Sequence, residues 1–133
     1  MAAKARMLGA WIFINNPQRS AKEDLNLQVG GTVQLNSEAL QLLGDQLLTI
    51  KAEVMDEDTF SDDLVFTNDT FQLGVHDTDF HNFTFSVIVP HQRLNDCEPF
   101  YEHQAEIYCR VSGHAGNLKT NRARTLTENV RIH

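Results

Sequence analysis

The sequence lacks any apolar run long enough to cross a membrane as a helix. No segment of the 133 residues approaches the roughly 18 consecutive apolar residues that such a helix needs, so we expect a soluble protein or one that only touches a membrane surface. Met7 to Ile14 is apolar, but Gly9 interrupts it and Asn15-Asn16-Pro17 follows directly, which makes a poor signal peptide. With 41% hydrophobic residues, the whole chain is predicted to form one domain around one core.

Basic residues are scarce as well. The chain has 11 Lys and Arg against 18 Asp and Glu, a formal net charge of -7, and this balance argues against nucleic-acid binding because phosphate contacts need an excess of cations. The charges are also segregated: Glu53 to Glu106 holds thirteen acidic residues and only Arg93 as a base, whereas Arg110 to His133 holds five basic residues and only Glu128 as an acid. An acidic centre of this kind indicates bound cations or, alternatively, a solvated and self-repelling surface.

The chain has few cysteines and none of the common catalytic motifs. Cys97 and Cys109 are too few for a disulfide framework, and they form either one bridge in an oxidising, extracellular setting or two free thiols. There is no Gly-x-Ser-x-Gly elbow, no glycine-rich phosphate loop and no His-Glu-x-x-His metal motif. We therefore expect a binding module and not an enzyme.

Apolar and polar residues alternate along most of the chain, as in strands with one face against a core. The predicted fold is all-β, an antiparallel β-sandwich of about eight strands with one short helix. Ser37 is the expected helix cap and Gly44 the expected end, and Gly30-Gly31 and Ser112-Gly113 are expected turns. The predicted strands are Ala10 to Ile14, Leu25 to Leu35, Leu47 to Met55, Leu64 to Thr67, Phe71 to Val75, Phe83 to Val89, Glu106 to Val111 and Thr125 to Ile132.

The most informative segment is an acidic loop that follows the third predicted strand. Asp56, Asp58, Asp62 and Asp63 lie within eight residues and are followed by apolar Leu64. Calcium takes six to eight oxygen ligands, and carboxylates on a flexible loop can converge on it without a preset geometry. These four residues are therefore candidate calcium ligands, and the alternative is a turn whose Asp and Ser side chains cap backbone amides.

The segment from Val54 to Leu64 resembles the third calcium-binding loop of C2 domains, in which a strand ends in a hydrophobic-x-Asp-x-Asp stretch before a second acidic pair. The resemblance implies that Asp56, Asp58 and one of Asp62 or Asp63 hold calcium. It also implies that Phe60 lies at the loop tip, where it is suited to shallow insertion into a membrane interface.

Two further clusters are candidates. Asp96 and Glu98 lie in one inter-strand connection with Glu102 and Glu106, and they would complete the calcium site if that connection lies beside the acidic loop; the alternative is a solvated loop. His76 to His81 places two imidazoles and two carboxylates in six residues, which suits zinc, but a hairpin turn stabilised by Asp side chains is the favoured interpretation.

Two functions follow from these patterns. The first is a calcium-binding, C2-like module that attaches to a membrane, glycan or protein partner when calcium neutralises its acidic loops. The second is a metal-independent, immunoglobulin-like recognition or assembly domain. It would form homo-oligomers if the basic C-terminal segment docks on the acidic centre of a second copy.

Overall fold

The computed structural model describes residues 2–133 and contains two antiparallel sheets, which confirms the predicted all-β sandwich. The strands are β1 (Ala5–Ile14), β2 (Leu25–Leu35), β3 (Leu48–Asp56), β4 (Asp63–Leu73), β5 (His81–Val89), β6 (Gln104–Ala115), β7 (Leu118–Lys119), β8 (Ala123–Arg124) and β9 (Glu128–Arg131). The helices are α1 (Ser37–Leu43) and α2 (His91–Asp96). One sheet has the order β1-β2-β5; the other has the order β4-β3-β6-β7, with β8 and β9 also paired to β6.

The three-stranded sheet shows why a glycine pair need not mark a turn. The predicted hairpin at Gly30-Gly31 is wrong, because both residues lie inside the continuous strand β2, opposite Trp11 and Ala10 of β1. A Cβ atom on Gly31 would lie 2.7 Å from the carbonyl oxygen of Gly9 and 2.7 Å from the Phe83 ring. These glycines therefore allow a close approach of neighbouring groups to the strand.

The six-stranded sheet is built around β3 and β6, which pair along most of their length. Ser112-Gly113 is not a turn as predicted but lies within β6, and the chain instead turns at Gly116, whose φ is +57°. The two strands predicted between Leu64 and Val75 are one strand, β4, which pairs with β3 through two register shifts. Irregular pairing of this kind blurs the alternation on which the prediction rested.

The core lies between the sheets and follows the predicted alternation. The inward residues of β3, Leu48, Ile50, Ala52 and Val54, have no exposed surface, and Cys109 on β6 also faces the core. Burial of such side chains stabilises the fold by about 1.5 to 3 kcal/mol for each large residue.

The helices are short. Asn36, not Ser37, caps α1, because its side chain accepts a hydrogen bond from the Ala39 backbone N–H, and Gly44 ends the helix as predicted. The second helix, α2, was not predicted from the sequence. Within residues 2–133, no helix combines the length and apolar character that crossing a membrane requires.

One end of the sandwich collects the loops that matter for function. The end of β3, the start of β4 and the start of β6 meet there, since Asp56 pairs with both Asp63 and Ile107. The connection from α2 to β6 lies at this end, which we call the acidic end. The opposite end holds the connection from β4 to β5, which crosses from one sheet to the other.

Candidate functional site

Asp56 is the unusual residue of the acidic end. It continues the inward face of β3, after Ala52 and Val54, and its side chain has no exposed surface. Among the described residues, no partner forms a hydrogen bond with either oxygen of its carboxyl group. A buried carboxylate without partners is costly, so this environment favours the protonated form of the group or a bound ligand.

A second carboxyl group lies next to Asp56. The pKa of Asp56 is raised to about 7, first by burial and second by Glu98, which can share a proton with Asp56 and repels its negative charge. The charge of Asp58 raises this pKa further. No hydrogen bond of normal geometry joins Asp56 to Glu98, and the raised pKa of Asp56 means that its carboxyl group loses its proton near neutral pH.

Glu98 and Asp58 also line an open depression of about 380 Å³ on the surface above Asp56. Glu57 is paired there with the Arg124 guanidinium at 3.1 Å and with the Thr127 hydroxyl at 2.8 Å. The other lining carboxylates have no cation within 4.0 Å among residues 2–133. The full lining consists of Glu57, Asp58, Thr59, Glu98, Glu102, Gln104 and Glu106.

The other predicted ligands lie apart from this depression. The Asp62 carboxylate accepts hydrogen bonds from the Tyr108 hydroxyl and from the Asp58 backbone N–H, and these two bonds lower its pKa. Asp63 is exposed beside Asp56 in the β3–β4 pairing, and Asp96 is exposed at the end of α2. The structure therefore brings together Asp56, Asp58 and Glu98 of the six predicted residues.

Over the part of the chain that the structure describes, no three His, Cys, Asp or Glu side chains converge tightly enough to form a ready-made metal site. A bound cation would have to draw the exposed Asp58 and the half-buried Glu98 toward Asp56. Both side chains belong to loops, which can move at low cost compared with strands.

The cysteines are free thiols. Cys109 is buried in the core and Cys97 is half-buried beside Asp56, where its thiol donates a hydrogen bond to the Leu94 carbonyl at 2.7 Å. Burial raises the pKa of both thiols to about 12. Neither is therefore an activated nucleophile.

The histidine-containing segment forms a turn stabilised by Asp77, in agreement with the favoured interpretation. The Asp77 carboxylate accepts a hydrogen bond from the Asp79 backbone N–H at 2.9 Å and lies 2.8 Å from Nε2 of His81. The segment is not a hairpin, however, because β4 and β5 belong to different sheets.

Exposed aromatic side chains stand on both loops beside the depression. Phe60 follows the lining residue Thr59 and is 97% exposed. Phe100 and Tyr101 lie between Glu98 and Glu102 and are 83% and 65% exposed, with ring centroids 5.9 Å apart. The sequence analysis identified Phe60 but not the Phe100–Tyr101 pair. The position of this pair between Glu98 and Glu102 is a sequence signal that could have identified it.

Sequence reasoning also missed Glu53, an outward residue of β3 that is only 7% exposed. Its carboxylate lies 3.3 Å from Arg110 and 3.8 Å from Arg122. Glu53 and Arg110 are direct cross-strand partners, which could have been recognised only with the strand register known.

No family model, no curated protein and no solved structure matches this chain.

Proposed function

We propose that this domain is a calcium-binding module and that calcium attaches its acidic end to an anionic membrane surface. The observation that supports the proposal most directly is the fully buried Asp56 carboxyl, which has no hydrogen-bond partner and lies beside Glu98 under an acidic depression.

The chemistry of the donor set suits calcium. Calcium binds oxygen ligands only and tolerates irregular geometry, and the depression offers carboxylates together with the hydroxyl of Thr59 and the amide of Gln104. Asp56, Asp58 and Glu98 are the proposed protein ligands, with Glu102 and Glu106 available from the same lining. A cation there would replace the proton that Asp56 holds below about pH 7 and would remove the repulsion among these carboxylates.

The exposed aromatic residues supply the second half of the proposal. Without a cation, the carboxylates of the depression repel anionic lipid headgroups. Calcium would neutralise them and leave Phe60, Phe100 and Tyr101, which flank the depression, free to enter the headgroup region. Attachment should therefore require calcium and these apolar side chains together.

Calorimetric titration of calcium into chelator-stripped protein tests the metal site. We expect saturable heat in the wild type and its loss in Asp58→Asn, because this substitution removes a charged ligand from the depression and keeps its shape. Asp45→Asn is the matched control, since Asp45 is an exposed carboxylate beside the start of β3, at the opposite end of the sandwich. Flat titrations of the wild type would refute calcium binding.

Sedimentation with vesicles of phosphatidylcholine and phosphatidylserine tests the attachment. We expect the wild type to sediment in calcium but not in chelator, and Phe60→Ala to sediment at least about threefold less well, as expected for loss of one inserted aromatic ring. Phe80→Ala is the control, because Phe80 is 65% exposed but lies in the β4–β5 connection at the opposite end. If calcium gives saturable heat in calorimetry but the protein does not sediment with vesicles, the metal site is supported and the membrane partner is refuted.

A further inference from the structure

We propose that the outer face of the three-stranded sheet is a second binding site, which recognises a neutral glycan. This proposal does not depend on the calcium site. It concerns the outward side chains among residues 11–14 of β1, 26–32 of β2 and 82–88 of β5, which we call the neutral face; the exposed Arg6 lies farther along β1, outside this face.

The neutral face carries no charge in an otherwise strongly charged protein. Residues 11–14 of β1, 26–32 of β2 and 82–88 of β5 contain no Asp, Glu, Lys, Arg or His, although 22% of the chain is charged. Other exposed faces of small soluble domains are normally rich in charge. An uncharged face selects against anionic lipids, nucleic acids and charged peptides and favours an uncharged polar ligand.

Two aromatic side chains stand on this face. Trp11 and Phe13 are 48% and 63% exposed and point the same way from β1, about 6.7 Å apart along the strand. The indole of Trp11 rests on β2, where a Cβ atom on Gly30 would lie 2.2 Å from its ring carbons. Aromatic rings held in this way offer apolar surface at little entropic cost, and the C–H faces of sugar rings stack on such surfaces.

Amide and hydroxyl groups lie beside the aromatic residues in an ordered row. The Gln28 amide donates to the Thr84 hydroxyl at 2.8 Å, and its oxygen accepts from Ser86 at 3.3 Å. Asn15 donates to the Asn26 side chain at 3.0 Å. These groups retain unused donors and acceptors and are already oriented, which is the arrangement that the hydroxyl groups of a sugar require. A purely apolar partner, such as a lipid tail, would leave these groups unsatisfied.

The experiment is retention of the full chain on insoluble cellulose, chitin, starch and mannan, with alginate as an anionic comparison. Trp11 is the only tryptophan, so its fluorescence also reports directly on soluble fragments of any polymer that retains the protein. We expect retention on at least one neutral polymer, unchanged by chelator or by added salt. We expect Trp11→Ala and Phe13→Ala to weaken it at least about tenfold.

Two further variants make the outcome decisive. Gly30→Ala keeps both aromatic residues but displaces the indole, and it should also weaken retention. Phe80→Ala, which removes an exposed ring far from the neutral face, should not. The melting temperature of each variant checks that it is folded, and Phe13→Ala and Gly30→Ala preserve the test if Trp11→Ala does not fold.

Three results would overturn the proposal. The first is no retention on any neutral polymer. The second is retention that Phe13→Ala and Gly30→Ala leave unchanged, or that chelator abolishes, since binding would then belong elsewhere. The third is a wild-type dimer in light scattering that becomes monomeric in Phe13→Ala, which would make the neutral face an interface between copies.

Discussion

Replacing Asp56 by asparagine should make this protein more stable at alkaline pH. Asparagine keeps the size of the side chain but has no carboxyl proton to lose. The pKa of Asp56 is raised to about 7, chiefly by burial and next by Glu98, so the wild type above that pH carries a buried negative charge beside a second carboxylate. The variant does not carry this charge, so its folded state avoids the associated cost.

The magnitude follows from the pKa. The ordinary value is 3.8 and the folded value is about 7, so the folded chain holds this proton more tightly than the unfolded chain does. Stability from this group is therefore fully present below about pH 4 and is lost as the pH rises through about 7. Each pKa unit corresponds to about 1.4 kcal/mol, which sets an upper limit of about 4 kcal/mol. The asparagine amide would itself be buried without a hydrogen-bond partner, which offsets part of this gain, so we expect Asp56→Asn to gain about 1 to 2 kcal/mol near pH 8.

Thermal and urea unfolding in chelator, near pH 4 and near pH 8, measure this gain. In a domain of this size it should raise the melting temperature by about 3 to 10 °C near pH 8 and by little near pH 4. Asp63→Asn is the control, because Asp63 is the exposed cross-strand partner of Asp56 and its substitution should change the free energy of unfolding by less than about 0.5 kcal/mol. Equal effects of Asp56→Asn at both pH values, or a loss of stability near pH 8, would refute the reasoning.

Three further predictions concern the calcium affinity, the ion pairs of Glu53 and the two cysteines. Calcium affinity should fall about tenfold for each pH unit below 7, because the pKa of Asp56 is raised to about 7 and the cation displaces its proton; a pH-independent affinity in calorimetry would contradict this. Glu53→Gln should lower the free energy of unfolding by about 1 to 3 kcal/mol, because Arg110 and Arg122 lose a nearly buried carboxylate, and urea unfolding at neutral pH measures it. Burial raises the pKa of Cys97 and Cys109 to about 12, so a disulfide reagent that reacts with thiolates should modify them rapidly near pH 8 only in denaturant. Fast modification of the folded protein would count against their burial.

Most of the sandwich could be predicted from the sequence because half-buried strands alternate. The prediction for β2 has the observed bounds, and its inward residues Leu27 and Val29 are fully buried. The prediction of turns failed where the same residue type also occurs for another structural reason. Gly30 and Gly31 are typical of a turn, yet here they allow Trp11 and Phe83 to approach the strand closely, and only the neighbouring strands reveal that use.

The candidate site was harder to predict than the fold. Alternation along β3 extends to Asp56, so its inward direction is visible once the strand is continued by one residue beyond Met55. The approach of Glu98 is not visible, because it depends on how α2 returns the chain to β6. Asp62 shows the converse case: its position suggested a ligand, but Tyr108 on the neighbouring strand holds it by a hydrogen bond.

The distribution of basic residues explains why the depression remains acidic. The C-terminal segment brings several cations next to the acidic centre of the chain, yet Arg122 lies beside Glu53 and Arg124 beside Glu57. The Arg124 guanidinium also stacks over the Tyr108 ring, 3.7 Å from its centroid. These arginines are thus engaged within the chain, on the outer face of the six-stranded sheet. Because they do not reach Glu98 or the buried Asp56, any compensation of those carboxyls must come from protons or from a cation in solution.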